Sequence, residues 1–465
     1  MRRSARQVEI PSTYDSATRL AIDPKNVRPP RQVTMTRSAQ SHAFHLAKIA
    51  RLMRRAALLA VYFAVMLTIR YAGWLMNDYV FFLNPARAVY SGTLDIYAQR
   101  LHPEVAPPYG IGYAYPPLVA IVTAPAVWLG DTLRLSDDAT GRYLYVIPLL
   151  LFDVLCLFAF GRLLRQLLPS ISEREEIACL VLAMAIPGFA SAAAYSSHAE
   201  TLMCFLLLAG VAAFLEGRAM AAGAILGLAL STKQTALFVL VPLVFLSLKQ
   251  AVERRDYRNV MRFCLSTTVV FAAVCLPFAV ANFGAMKYAL VDAQRALVVS
   301  GESVWLLVRE VLGHDLAIRA VAPWVLLGAM IATSFFLVMR NRIRSNVDVL
   351  GLLVVSPLLI DVLSKYTGVY YKLPAFFFLI LWDRTRRRSG GVPWIAITYI
   401  AIFSLLDSLP LGVHPASFEM REQVVRAAIK VPLYIGLFVH LLRSIPEEDI
   451  GPIQMTGASR PICGS

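Results

Sequence analysis

The feature that most constrains this chain is the recurrence of apolar runs, 15 to 25 residues long, from about position 56 to position 442. Hydrocarbon offers no water to backbone N–H and C=O groups, so runs of this length satisfy themselves only as helices. The predicted class is an all-α polytopic membrane protein. Only 16% of residues are charged and 58% are hydrophobic, whereas a soluble domain carries about 25% charged residues.

Thirteen apolar segments are legible: 56–76, 116–130, 143–163, 177–194, 200–216, 219–231, 234–248, 264–281, 320–339, 347–363, 371–382, 392–407 and 431–442. Basic clusters at "RLLRQ", "EGR", "KQAVERRDYRNVMR", "RNRIR" and "DRTRRR" belong on the cytoplasmic side. They share that side only if one segment does not cross. The candidate is "YPPLVAIVTAPAVWLG", Tyr115 to Gly130, which opens on Pro-Pro and carries Pro125 in its middle. Proline suits a first helical turn and not an interior, so this segment reads as a juxtamembrane helix. Twelve crossings remain, with both termini cytoplasmic. The chain then divides into a basic tail (1–55), a module (56–250) with a large outside loop at 77–142, a second transmembrane module (251–445) with an outside loop at 282–319, and a cytoplasmic tail (446–465). Loops of this size serve function more often than connection.

Net charge is +15, and residues 1–55 alone carry twelve Lys/Arg against three Asp/Glu. The run lacks repeated aromatics and abuts a span at "KIARLMRR", so it reads as a cytoplasmic, mostly disordered segment on anionic lipid and not as a nucleic-acid binder. No signal peptide is expected. The six cysteines form no CxxC and no Cys/His pair at metal spacing, so neither a disulfide framework nor a zinc site is expected.

Several polar residues stand where apolar ones are the rule. Asp78 follows the first span in "WLMNDYVFFLNPARAVYSG"; its bland reading is an interfacial acid. Lys233 sits in "GAILGLALSTKQTALFVLVPLVF" between two short apolar stretches, flanked by Ser231, Thr232, Gln234 and Thr235. A deep lysine costs about 2.5–3.5 kcal/mol on insertion scales, so an anion is expected beside it unless it snorkels at an ordinary turn. "AYSSHAET" brings His198 and Glu200 to the same outer face, and "SKYTGVYYKLP" brings Lys365, Tyr366, Tyr370, Tyr371 and Lys372, which an aromatic belt would also explain. Arg70, near the outer end of the first helix, joins these cations or snorkels. One carboxylate among several cations suits displacement of a sugar from a lipid phosphate. That leaving group needs countercharge, whereas a glycosidase expelling an alkoxide needs two carboxylates.

Three stretches carry a family resemblance: "NDYVFFLNPARAVYSGTLDIY", "YAYPPLVAIVTAPAVW" and "GAILGLALSTKQTALFVLVPLVF". Over roughly residues 56–250 the chain resembles the GT-C glycosyltransferases, polytopic enzymes that use polyprenyl- or dolichyl-phosphate sugars. The first two stretches are similar to the bacterial polyprenyl-phosphate-mannose mannosyltransferases, the third also to the eukaryotic dolichyl-phosphate-glucose glucosyltransferases. "VVSGESVWLLV" resembles a worn Ser-Asn-x-x-Trp stretch of such enzymes. The resemblance implies a GT-C-like bundle of about twelve transmembrane helices, with juxtamembrane helices in the first outside loop. It implies transfer of a hexose, with mannose favoured, from a polyprenyl-phosphate carrier to a lipid- or glycan-linked acceptor. Transfer would occur on the extracytoplasmic face of a bacterial plasma membrane, with inversion. The family's base is an Asp just past the first helix, and only Asp78 fits that place. Lys233, Lys365, Lys372 and Arg70 would hold the donor phosphate; Tyr115, His198, Glu200, Gln234 and Tyr371 would contact substrate. "AYSSHAET" stands where many members show Gly-Gln-x-Asp. No Asp-x-Asp pair marks a nucleotide-sugar or metal site, so neither a divalent metal nor a cofactor is expected. A transporter or flippase for a lipid-linked substrate is the alternative, although no matched inverted halves are evident.

Overall fold

The computed structural model describes residues 37–71, 80–97, 113–189, 198–292, 299, 302–340, 343–366, 369–387, 391–408 and 420–445. Among them the chain is largely helical: each of the thirteen apolar segments overlaps a helix, and two further helices, at 80–90 and 304–312, lie outside those segments. In order these are α1 (Arg37–Tyr71), α2 (Val80–Tyr90), α3 (Leu118–Thr132), α4 (Val146–Leu167), α5 (Glu173–Met184), α6 (Glu200–Leu215), α7 (Ala219–Leu230), α8 (Leu237–Arg254), α9 (Arg258–Lys287), α10 (Val304–Leu312), α11 (Asp315–Met339), α12 (Asn346–Leu363), α13 (Leu373–Arg386), α14 (Trp394–Ser408) and α15 (Met420–Ser444). The chain forms two units, Met1–Arg54 and Arg55–Ser465. The first contributes only the start of α1 to the described residues, and all the others belong to the second.

Six stretches, 137–167, 234–254, 258–292, 315–339, 346–363 and 423–444, are helices long and apolar enough to cross a bilayer. Four further apolar helices, at 118–132, 200–215, 219–230 and 394–407, are shorter. The protein is an integral membrane protein, but a count of twelve crossings rests on these short helices. The 12 residues of α7 rise only about 18 Å, against a hydrocarbon core of about 30 Å. A turn that follows α7 is therefore drawn toward the bilayer interior if α7 starts at its edge.

Three helices form the centre. In α12 every residue from Asp348 to Asp361 is buried, and in α13 every residue from Leu373 to Thr385; α6 is nearly as enclosed. Such helices are apolar all round because protein covers every face. By contrast α9 and α11 keep their outer faces exposed, including Val280, Phe283 and Trp324, as lipid-facing helices do. Ser172 with Glu175, and Ser345 with Asp348, close capping boxes at the starts of α5 and α12. The segment read as 177–194 is shorter as a helix: α5 ends at Met184, before Pro187, which cannot continue it. Within α9 the backbone leaves the helical region at Asn282. There the side chain accepts from the Ala285 N–H (2.9 Å) and donates to Asp95 (3.0 Å), so the break falls where the second outside loop was read to begin.

A small-residue pair sets the approach of α7 to α9. A Cβ added to Gly227 would lie 2.6 Å from the Thr267 carbonyl oxygen, and one added to Gly223 would lie closer still to that of Phe263. The Gly-xxx-Gly spacing thus lets two backbones meet. Gly227→Val is expected to destabilise the protein by about 1–3 kcal/mol or more, read as a lower unfolding midpoint in detergent. Gly328→Ala, which meets nothing within 4 Å, should leave that midpoint in place.

Candidate active site

The turn after α7 is built from short-range hydrogen bonds. The Thr232 and Lys233 N–H groups both donate to the Ala229 carbonyl (3.0 and 3.2 Å), and the Ser231 hydroxyl donates to that of Gly227 (2.9 Å). The Ser231 carbonyl in turn accepts the Leu118 N–H (3.1 Å), one of the donors that a helix N-terminus leaves unsatisfied. The Tyr-Pro-Pro helix α3 is thereby docked on the lysine turn. Arg87 fixes the other end of α3: its Nε and Nη2 reach the two Asp131 oxygens at 2.9 Å each, and it also pairs with Asp137. The Arg87 hydrogen bond is the main reason the Asp131 carboxyl lies below the usual range.

Lys233 is buried, and the anion expected beside it is a protein carboxylate. Its Nζ pairs with Glu200 Oε1, while the Tyr371, Tyr370 and Tyr115 ring centres lie 4.2, 5.0 and 5.2 Å away. Cation–π attraction strengthens as water is excluded, so the rings and the carboxylate together hold the ammonium. Glu200 opens α6, where the helix dipole favours a negative charge. His198 Nδ1 lies 3.4 Å from the same Oε1 and 3.0 Å from the Tyr115 hydroxyl. The imidazole stacks on Tyr370 at 4.4 Å. The Tyr115 carbonyl accepts from the Tyr97 hydroxyl (2.9 Å), which fixes the loop that carries the ring.

Lys233, His198 and the three tyrosine rings line a cavity of about 640 Å³. His198, Lys233, Gln234, Lys365, Tyr115 and Tyr371 face it, together with Phe82, Tyr113, Tyr366 and Tyr370. Apolar side chains also line it, among them Leu237 and Phe238 of α8, Pro323, Leu326, Leu327 and Met330 of α11, and Ile360 of α12. Glu200 does not line the cavity; it lies beneath, 1% exposed, holding Lys233 and His198.

Lys372 departs from the sequence reading. It is absent from the cavity wall and pairs with Asp407 Oδ2 at 2.8 Å. Asp407 also meets Lys430, and Lys430 meets Glu302. The short helical turn Val369–Lys372 presents Tyr370 and Tyr371 to the cavity and directs the next side chain to α14 and α15. Lys372 thus ties the aromatic turn to Asp407. Asp78 lies outside the described residues, and so does the Arg70 side chain. Among the described residues no three His, Cys, Asp or Glu are placed to hold a metal ion.

The sequence reading left out Phe82 and Tyr113. Phe82 stands 5.2 Å from Tyr115 and 5.7 Å from His198, ring to ring. The Tyr113 hydroxyl accepts the Ala120 N–H (3.2 Å), another early donor of α3. Their signal was an aromatic-rich loop sequence; the capping role follows only from the fold.

Comparison with known families decides the class. The model of glycosyltransferase family 87 matches residues 113–364, more than half of the chain and the stretch that carries most of the described cavity residues. The chain belongs to glycosyltransferase family 87. That family is of the GT-C type, in keeping with the resemblance read from the sequence. No curated protein matches the chain. Among solved structures, ArnT from Cupriavidus metallidurans bound to undecaprenyl phosphate is similar, with 17% identity, a TM-score of 0.48, and coverage of 84% of this chain and 71% of that one. This family 87 glycosyltransferase thus places His198, Lys233, Gln234, Lys365, Tyr115 and Tyr371 around one cavity.

Proposed function

We propose that this glycosyltransferase takes a hexose, mannose in the first instance, from a polyprenyl-phosphate carrier. The acceptor is a hydroxyl on a lipid- or glycan-linked molecule at the extracytoplasmic face of the membrane. The observation that carries the reading is one cavity lined both by lysines and tyrosines and by apolar side chains of α8, α11 and α12. A lipid-linked sugar phosphate uses both kinds of lining; a nucleotide sugar has no use for the apolar one.

In the proposed step Asp78 takes the proton of the acceptor hydroxyl as that oxygen attacks the anomeric carbon. The carbon–oxygen bond to phosphate breaks on the opposite side, and polyprenyl phosphate departs with the bonding pair. The anomeric configuration inverts. Cations that line the cavity offset the charge that develops on the leaving phosphate. Tyr115, Tyr371 and His198 give the sugar flat faces to lie against, and Gln234 supplies amide hydrogen bonds. The step calls for no metal, because the lysines that line the cavity provide the countercharge.

Membranes containing the protein, supplied with a panel of radiolabelled polyprenyl-phosphate hexoses and an acceptor extract, test this reading. Transfer should be greatest from the mannose donor and should persist in EDTA. Transfer from nucleotide sugars alone would overturn the donor assignment, and abolition by EDTA would overturn the metal-free step.

A further inference from the structure

The turn from α8 to α9 gathers arginines that no acid of the protein neutralises. The 18 residues of α8 rise about 27 Å, close to the thickness of a hydrocarbon core, about 30 Å. Leu237 and Phe238, at its start, line the cavity, so its last residue, Arg254, reaches the membrane surface away from the cavity. Elsewhere at that end of the bundle arginines meet acids: Arg162 meets Glu216, Arg55 and Arg165 meet Glu176, and Arg384 meets Glu175. Among the described residues, Arg254, Arg255, Arg258 and Arg262 are exposed and pair with no carboxylate. The acids nearest in sequence are engaged: Glu253 lies 3.7 Å from Lys249, and Asp256 Oδ1 accepts the Arg258 N–H (3.0 Å). Arg255 also takes a left-handed conformation (φ 53°) at the end of α8, where glycine is usual. The chain thus keeps an arginine at a position its backbone disfavours.

Two further features meet this charge. A pocket of about 80 Å³ lies beside the turn, with Ser247, Gln250 and Arg254 of α8, Asp256, and Asn259 of α9 in its lining. Arg258, Met261, Arg262 and Leu265 recur at helical spacing and share one face of α9, and all four are exposed. Val269, also exposed, extends that face by another turn. Because α9 is long and apolar enough to cross a bilayer, cations at the membrane surface give way, along one stripe, to apolar side chains within it. That is the order of groups along a phospholipid.

We infer that the α8–α9 turn binds one anionic glycerophospholipid. The arginines hold its phosphate, for which guanidinium offers paired N–H donors. Met261, Leu265 and Val269 lie along an acyl chain. A hydroxylated headgroup suits the pocket, since Ser247, Gln250 and Asn259 donate and Asp256 accepts. The site is separate from the cavity and does not depend on the donor proposed above.

Native mass spectrometry of the full chain in detergent, titrated with phosphatidylglycerol or with phosphatidylcholine of the same acyl chains, tests it. The wild type should bind phosphatidylglycerol about tenfold more tightly or better. Each arginine lost should weaken that binding about fivefold, so Arg258→Gln/Arg262→Gln should weaken it about 25-fold. Arg255→Gly suits the left-handed backbone; it should weaken binding about fivefold with no fall in the unfolding midpoint, which separates the loss from misfolding. Arg443→Gln, at an exposed arginine near the end of α15, should leave binding unchanged. Equal binding of the two lipids, unchanged binding in the arginine variants of the turn, or an equal loss in Arg443→Gln would overturn the site. Displacement of the lipid by inorganic phosphate at equal concentration would assign the arginines to a small anion and overturn the lipid assignment.

Discussion

Asp78→Asn is expected to lower the turnover of sugar transfer by about 10³-fold, within the range of about 10²–10⁴ that a general base contributes. The amide keeps the shape of the side chain and cannot take a proton, so donor binding should change little while kcat falls. The acid's place is defined by sequence: it follows the first span at the head of the loop that carries α2 and α3. Those helices are held in register by Arg87, Asp131 and Asp137, and α3 docks on the Lys233 turn. Turnover measured at saturating donor in membranes with matched protein levels checks the prediction. Retained turnover would remove Asp78 from the chemistry.

The second large effect is structural. Glu200→Gln leaves the Lys233 ammonium buried without its carboxylate, and breaking a buried pair from one side costs about 3–5 kcal/mol. The three rings around Lys233 recover only part of this, about 2 kcal/mol for a desolvated cation–π contact. The variant should unfold at a clearly lower temperature in detergent. Adding Lys233→Met removes the stranded charge and should restore most of the loss, because apolar replacement of a buried pair is often near neutral. A Glu200→Gln variant as stable as wild type would mean that the rings and not the carboxylate hold Lys233.

The sequence was informative where a local pattern carried the physics. Apolar length and proline position anticipated thirteen of the helices, including the short α3 with Pro125 inside it, but not α2 or α10, and the Asn282 break sits at the loop boundary that charge and hydropathy marked. Lys233 stood out because a lysine is costly in that setting, and the need for an anion was legible. Which anion was not: Glu200 lies 33 residues away, on a helix whose neighbours only packing decides. The same limit separates Lys365 from Lys372. Both belong to one cationic, aromatic stretch, yet a single short turn sends one to the cavity and the other to Asp407. The Gly223-xxx-Gly227 spacing was legible as a close helix contact and was not singled out, since its partner carbonyls on α9 emerge only from the fold.

The most direct test follows the carrier itself. With a doubly labelled polyprenyl-phosphate mannose, in sealed membranes containing the protein, sugar transfer and lipid phosphate release can be counted together. One polyprenyl phosphate released for each sugar transferred is the predicted result. Donor crossing the bilayer intact, with no phosphate released, would contradict the account and mark the protein as a carrier of lipid-linked substrate.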